Sequence, residues 1–225
     1  MKTVKGSFYI LFQSYKKQII TFWCILFSIV LFSLFLDNFI GQNLFIALSI
    51  SIPVYIFYGV MATKLLNKTF PYFLKLGLSR LQYIFNVGLY FICWSLISAF
   101  IIACTQKIIT YVSNLFIIHP IFLFDNTPSF LQTMVLDTVL LLFFLIFGLL
   151  LNLVFYRLGT IGGYSFIGLL CLIPIVVIIF ELYSSLFDLL SNMTTFTLLS
   201  SFFVFSVILF TIITMTIRNA SVNPA

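Results

Sequence analysis

Charged residues interrupt this chain so rarely that they divide it into six long uncharged runs, at 18–36, 38–63, 81–106, 138–156, 158–180 and 189–217. Each run is apolar on every side of a helical wheel and lacks the two-residue alternation of barrel strands, which is the pattern of helices immersed in lipid. A helix needs roughly 20 apolar residues to cross a hydrocarbon core about 30 Å thick. Trimmed for caps and tilt, the runs predict six transmembrane helices at about 18–36, 43–63, 82–104, 136–156, 164–181 and 195–217. The expected class is therefore an all-α integral membrane protein whose residues 1–225 form one transmembrane domain.

Composition supports the pattern. Of 225 residues, 63% are hydrophobic and 7% charged, with a mean hydropathy of +1.24. Soluble chains carry about 25% charged residues, and water could not solvate a surface made from this one. Six spans use up the length, so any ATPase or receptor domain is expected on another polypeptide. The first apolar run begins late and has no small-residue cleavage site before Asp37, so it reads as a retained span rather than a signal peptide.

The net charge of +6 is topological rather than a nucleic-acid footprint. With the N-terminus inside, the inner segments hold Lys2, Lys5, Lys16, Lys17, Lys64, Lys68, Lys75, Arg80, Arg157 and Arg218, ten of the eleven basic residues. Lys107 alone falls outside. Asp37, Asp125, Asp137, Glu181 and Asp188 lie outside or at the outer border. The positive-inside rule thus predicts cytoplasmic N- and C-termini. One further uncharged run, 108–124, contains LFIIHPIFLF. If it crossed, Arg157 and Arg218 would face outward, and the His119–Pro120 pair would interrupt its helix. It is expected to be an interfacial or re-entrant piece of an outer loop at 105–134, with His119 as a structural or interfacial residue rather than a ligand.

Pro53 and Pro174 fall inside spans two and five and predict kinks; Gly159, Gly162 and Gly163 predict a tight inner turn before span five. Cys24, Cys93, Cys104 and Cys171 all sit in apolar stretches and read as small buried residues.

No catalytic constellation is visible. One histidine excludes an imidazole metal cluster, and neither a GxxxxGK[ST] loop nor a GxSxG elbow occurs. Catalytic, cofactor and metal residues are expected to be absent, and the chain is expected not to be an enzyme. A charge at the bilayer centre costs at least ~3 kcal/mol and survives where it works. The runs place no Asp or Glu in the middle of a span, which counts against an ion-coupled carrier. The deepest polar residues, Asn86 and Asn152, are expected to hydrogen-bond between helices.

Two inner segments do more than set topology. In KGSFYILFQSYKK, at 5–17, Phe8, Leu11, Phe12 and Tyr15 share a helical face, predicting an amphipathic elbow helix on the inner leaflet. The loop KLLNKTFPYFLKLGLSR, at 64–80, has room for a short cytoplasmic helix between spans two and three, starting near Phe70–Pro71 and ending near Gly77. Its face of Phe70, Tyr72, Phe73 and Leu76 with Lys75 suits either a groove on a cytoplasmic partner or the membrane surface.

The phrase FPYFLKLGLSRLQYIF, at 70–85, resembles a pattern that follows the second span in six-span membrane subunits of ABC exporters, of the form F-P-x-x-L-x-x-G-x-S-R-x-Q-[YF]. Phe70, Pro71, Leu74, Gly77, Ser79, Arg80, Gln82 and Tyr83 match it. The resemblance covers the whole chain in layout and about sixteen residues in wording. It implies a second six-span subunit, identical or homologous, and ABC ATPase subunits that supply ATP and Mg. Phe70, Pro71, Tyr72, Leu74, Lys75, Gly77 and Arg80 would form the coupling helix that contacts the ATPase. The larger outer loop lies between spans three and four here, whereas many relatives elaborate the region between five and six. Compact permeases of this kind resemble exporters of antimicrobial or toxin-like peptides in Gram-positive plasma membranes, the staphylococcal phenol-soluble modulin exporter among them. The expected cargo is an amphipathic peptide or lipid-like molecule. The competing expectation is a non-transporting immunity, sensor or assembly factor that acts by binding a partner.

Overall fold

The computed structural model describes residues 2–40, 47–112, 116–117, 119, 129–181, 183 and 193–218. Almost all are helical: α1 (Lys2–Ile40), α2 (Ser51–Ala62), α3 (Leu65–Lys75), α4 (Arg80–Val112), α5 (Phe130–Ile179) and α6 (Thr195–Arg218). Among the described residues, four segments are long and apolar enough to cross a membrane: Gly6–Asp37, Arg80–Val112, Phe130–Ile179 and Thr195–Arg218. The chain is a membrane protein by this measure.

The α5 helix forms the centre, packed by α2, α3, α4 and α6, while α1 lies against α4. Its 50 residues contain one break, at Gly159 (φ 70°, ψ −171°). Phe155 and Tyr164 lie nine positions apart, which a straight helix would separate by ~13 Å along its axis. Their ring centroids are 5.5 Å apart, and a methyl on Gly163 would fall within the Phe155 ring. The chain therefore turns back at Gly159. The expected tight turn is present, and each limb is long enough to be a span. That backbone conformation is nearly restricted to glycine. Gly159→Ala is expected to destabilise the protein by about 1–3 kcal/mol, read as a lower denaturation midpoint in mild detergent. A Gly168→Ala control, in the second limb where a methyl meets nothing within 4 Å, should not show this loss.

The second predicted span differs from expectation. Among its described residues only Ser51–Ala62 is helical, 12 residues or ~18 Å long, and Ala47–Leu48 is extended, pairing in parallel with Phe116–Ile117. Non-helical backbone at membrane depth must find its hydrogen bonds inside the protein, and each extended piece supplies them to the other. Residues 41–46 lie outside the described set, as do most of 113–128, where the interfacial or re-entrant run was expected. Pro53, expected to kink span two, instead sits in the first turn of α2, where its missing N–H costs least. Pro174 lies inside α5.

The expected elbow and first span are one helix. α1 is 39 residues long, ~58 Å, and buries a single stripe of Ser7, Leu11, Tyr15, Ile19, Trp23, Leu26 and Val30. Leu11 and Tyr15, expected to face the leaflet, face protein instead. Phe12 stacks on Trp94 at 6.0 Å and Phe22 on Phe57 at 4.0 Å.

Contacts sort the charges. Lys68 Nζ donates to the Ser14 carbonyl at 3.1 Å and lies over the Tyr15 ring, and Arg80 Nη1 donates to the Arg218 carbonyl at 3.0 Å. Phe70 meets Tyr156, the neighbour of Arg157, at 5.9 Å. Lys68, Arg80, Arg157 and Arg218 thus gather at one end of the bundle. Outward faces of α1 and of the second limb of α5 are apolar and exposed, Leu31, Phe35, Leu172 and Ile179 among them, a surface suited to lipid.

Candidate functional site

The residues expected to contact an ATPase lie in and just after α3, at the basic end. α3 begins at Leu65 and ends at Lys75, so Pro71 lies inside the helix rather than at its start. Leu65, Leu66, Thr69, Phe70 and Phe73 form a stripe at helical spacing, and all are buried. Burying that stripe outweighs the one hydrogen bond Pro71 cannot make, because the Asn67 carbonyl that loses it belongs to an exposed residue.

The expected docking face is divided between two sides. Phe70 and Phe73 point into the protein, with ring centroids 5.1 and 5.4 Å from that of Tyr83. Tyr72, Lys75 and Leu76 point out. Phe70, expected among the partner contacts, is buried in the interior of this chain. Pro71 and Leu74 are half-buried, and Leu74 packs on the core. Arg80, also half-buried, holds the C-terminal carbonyl of α6, where a cation complements the helix dipole.

The rest of the matched phrase is local architecture. Gly77 has φ +80°; its N–H donates to the Leu74 carbonyl at 3.0 Å, and the Leu78 N–H to the Phe73 carbonyl at 3.2 Å. This pair of bonds is a Schellman motif closing α3. Ser79 and Gln82 then exchange side-chain and backbone bonds of 3.2 and 3.0 Å, a capping box that opens α4. Gly-x-Ser-Arg-x-Gln is therefore the chemistry of a sharp turn between two helices. The turn fixes how α3 projects from the bundle.

A second cluster lies at the opposite end and was missed in the sequence. Ser129 and Gln132 form another capping box, so α5 starts at Phe130. Asp137 is then two turns inside the helix, ~10 Å from its first residue. It is fully buried. The expectation that Asp137 sits at an outer border is corrected by this placement: the carboxylate is buried two turns inside α5. Tyr55 Oη on α2 donates to Asp137 Oδ1, and His119 Nε2 lies 3.0 Å from the same oxygen. Asp137 Oδ2 has no hydrogen-bond partner among the described residues. Beside the cluster, Gln106 Nε2 donates to Ser51 Oγ at 3.3 Å. Ser129-x-x-Gln132 was the signal that could have moved the helix start and placed Asp137 inside it.

Two further polar contacts join helices, as polar groups in a membrane bundle do. Asn152 Nδ2 donates to the Ala62 carbonyl at 3.3 Å, and Ser98 Oγ donates to Tyr58 Oη at 2.8 Å. Cys24, Cys93 and Cys171 are exposed on the apolar surface rather than buried, and Cys104 is half-buried. Among the described residues no three His, Cys, Asp or Glu side chains gather to hold a metal. Compared with protein-family models, with curated proteins and with solved structures, the chain matches none.

Proposed function

We propose that this chain is the membrane subunit of an ATP-driven ABC exporter in a bacterial plasma membrane, with the basic end of the bundle in the cytoplasm. One observation carries the reading: α3 is a two-faced helix between α2 and α4, anchored inward and bare outward. Phe70 and Phe73 join it to Tyr83 on α4, and Phe70 also to Tyr156 on α5. Tyr72, Lys75 and Leu76 face out. A partner ATPase that seats this outer face would move α3, and α3 would pass the motion to α4 and α5.

A second copy, or a homologous six-span subunit, has two apolar faces to use, the outer side of α1 and the second limb of α5. In that limb, from 160 to 179, Gly163 alone is buried. An amphipathic peptide or lipid-like cargo suits a path between such subunits, since their facing walls would be apolar. The ATP and Mg would belong to the partner.

The experiment is purification of the tagged full-length chain from its native host in mild detergent, with mass spectrometry of what accompanies it. Recovery of a P-loop ATPase is expected, falling at least tenfold in a Tyr72→Ala/Lys75→Ala double variant whose helix content and monodispersity are unchanged. Recovery of the chain alone, under conditions that preserve other ABC complexes, would sink this reading in favour of a non-transporting sensor or immunity factor. An ion-coupled carrier regains ground from one observation, the buried Asp137. An ATPase that co-purifies through α3 would count against it.

A further inference from the structure

The exporter reading gives no work to the cluster at the far end of the bundle, yet that cluster is the costliest feature of the interior. A charged carboxylate without a counter-charge costs several kcal/mol in a low-dielectric interior, so Asp137 must be paired with a cation or hold a proton. Its two oxygens are treated unequally. Oδ1 accepts from Tyr55 Oη and is 3.0 Å from His119 Nε2, while Oδ2 has no partner among the described residues. Oδ1 acts as an acceptor whether or not Oδ2 carries a proton. With His119 carrying a proton on Nε2, Asp137 can therefore gain or lose a proton at Oδ2 without breaking either bond.

The surroundings leave few other groups to share that proton. From α2, only Tyr55 is ionisable at the site. From the outer link, only His119 touches the carboxyl among the described residues. α4 contributes the neutral Gln106, bonded to Ser51, and its nearest charge, Lys107, is exposed. α6 has no ionisable side chain from Thr195 to Ile217. The first turn of α2 lies alongside, at the point where the expected second span breaks from extended chain into a short helix. Breaks of this kind present a helix N-terminus to the interior and are where membrane carriers build ion sites.

We propose that Asp137 is a proton-binding site, taking up and releasing one proton at Oδ2 while Tyr55 and His119 hold Oδ1 in both states. The step balances as carboxylate plus proton giving carboxylic acid, and the proton comes from the aqueous phase at the end opposite α3. Because His119 is the link's contact to this carboxyl, the charge at the joint between the outer link and α5 then depends on the pH of that compartment.

The test is infrared difference spectroscopy of the full-length chain in lipid nanodiscs, stepped between acid and alkaline buffer. A carboxylic C=O band is expected to grow on acidification, to be lost entirely in Asp137→Asn, and to rise in frequency in Tyr55→Phe as a hydrogen bond to Oδ1 disappears. Asp37 and Glu181 remain in every sample as internal references, and circular dichroism establishes that each variant keeps its helices. A difference spectrum in which Asp137→Asn removes no band overturns the proposal. Should that variant fail to fold, a Tyr55→Phe spectrum with every carboxyl band unmoved overturns it equally. The readout involves no ATPase, so it succeeds or fails separately from the exporter reading.

Discussion

Replacing Gly148 by alanine is expected to destabilise the bundle by about 1–3 kcal/mol, with larger side chains abolishing the α2–α5 contact. A methyl there would overlap the Gly59 carbonyl oxygen and stand 2.9 Å from Ala62 Cβ. The obstacle is backbone and a methyl, neither of which can swing aside. Two further glycines calibrate the effect. At Gly59 an added Cβ would lie 3.6 Å from the Phe144 carbonyl oxygen, an ordinary contact, so Gly59→Ala should cost little. At Gly88 it would lie 2.8 Å from the far end of the Phe210 ring, which can rotate away. Denaturation by SDS, followed by circular dichroism, should therefore rank Gly148→Ala well below the other two. Equal midpoints for all three would mean that α2 and α5 do not cross at Gly148.

The physical ground is that lipid tails are as apolar as leucine, so apolar burial does little to hold membrane helices together. Close backbone approach and interhelical hydrogen bonds do more. The Gly59–Gly148 crossing and the Asn152 bond to the Ala62 carbonyl act at the same junction, just before α3 begins. What the ATPase would push on is seated against this point.

The second large effect is expected at Phe70. Phe70→Ala should cost ~3 kcal/mol or more, since it empties a site closed by Phe73, Tyr83 and Tyr156. Tyr72→Ala, two residues on and 51% exposed, should leave stability within about 0.5 kcal/mol. The same SDS titration reads both. The contrast separates an anchored helix from one resting on the membrane surface: in the second case Phe70, Tyr72 and Phe73 would share the lipid-facing side, and neither substitution would stand out. A Phe70→Leu variant should recover part of the loss by refilling the site.

Much of this was open to reading in the chain. Runs without charge mark where helices cross, because a charge in hydrocarbon costs more than a span can tolerate, and Gly159 marks the turn because few other residues reach its backbone angles. The candidate face of α3 was legible as a set of residues but not as two sides. Starting the helix near Phe70–Pro71 left out Leu65, Leu66 and Thr69, which complete the buried stripe with Phe70 and Phe73 and show which side faces inward. Asp137 was misplaced for a related reason. An acid next to an apolar run looks like its boundary, and only the Ser129–Gln132 cap shows that the helix has already begun.

The sequence by itself determined that this is a helical membrane protein, where its apolar segments lie, and that its basic residues segregate, since these follow from the cost of burying charge, a property of residue type and order. Tertiary structure alone decided that Phe70 anchors and Tyr72 projects, that Gly148 is the tight crossing, and that His119, Tyr55 and Asp137 meet. Those residues are 18 to 82 positions apart in pairs, and no local rule of spacing brings together groups held by different helices.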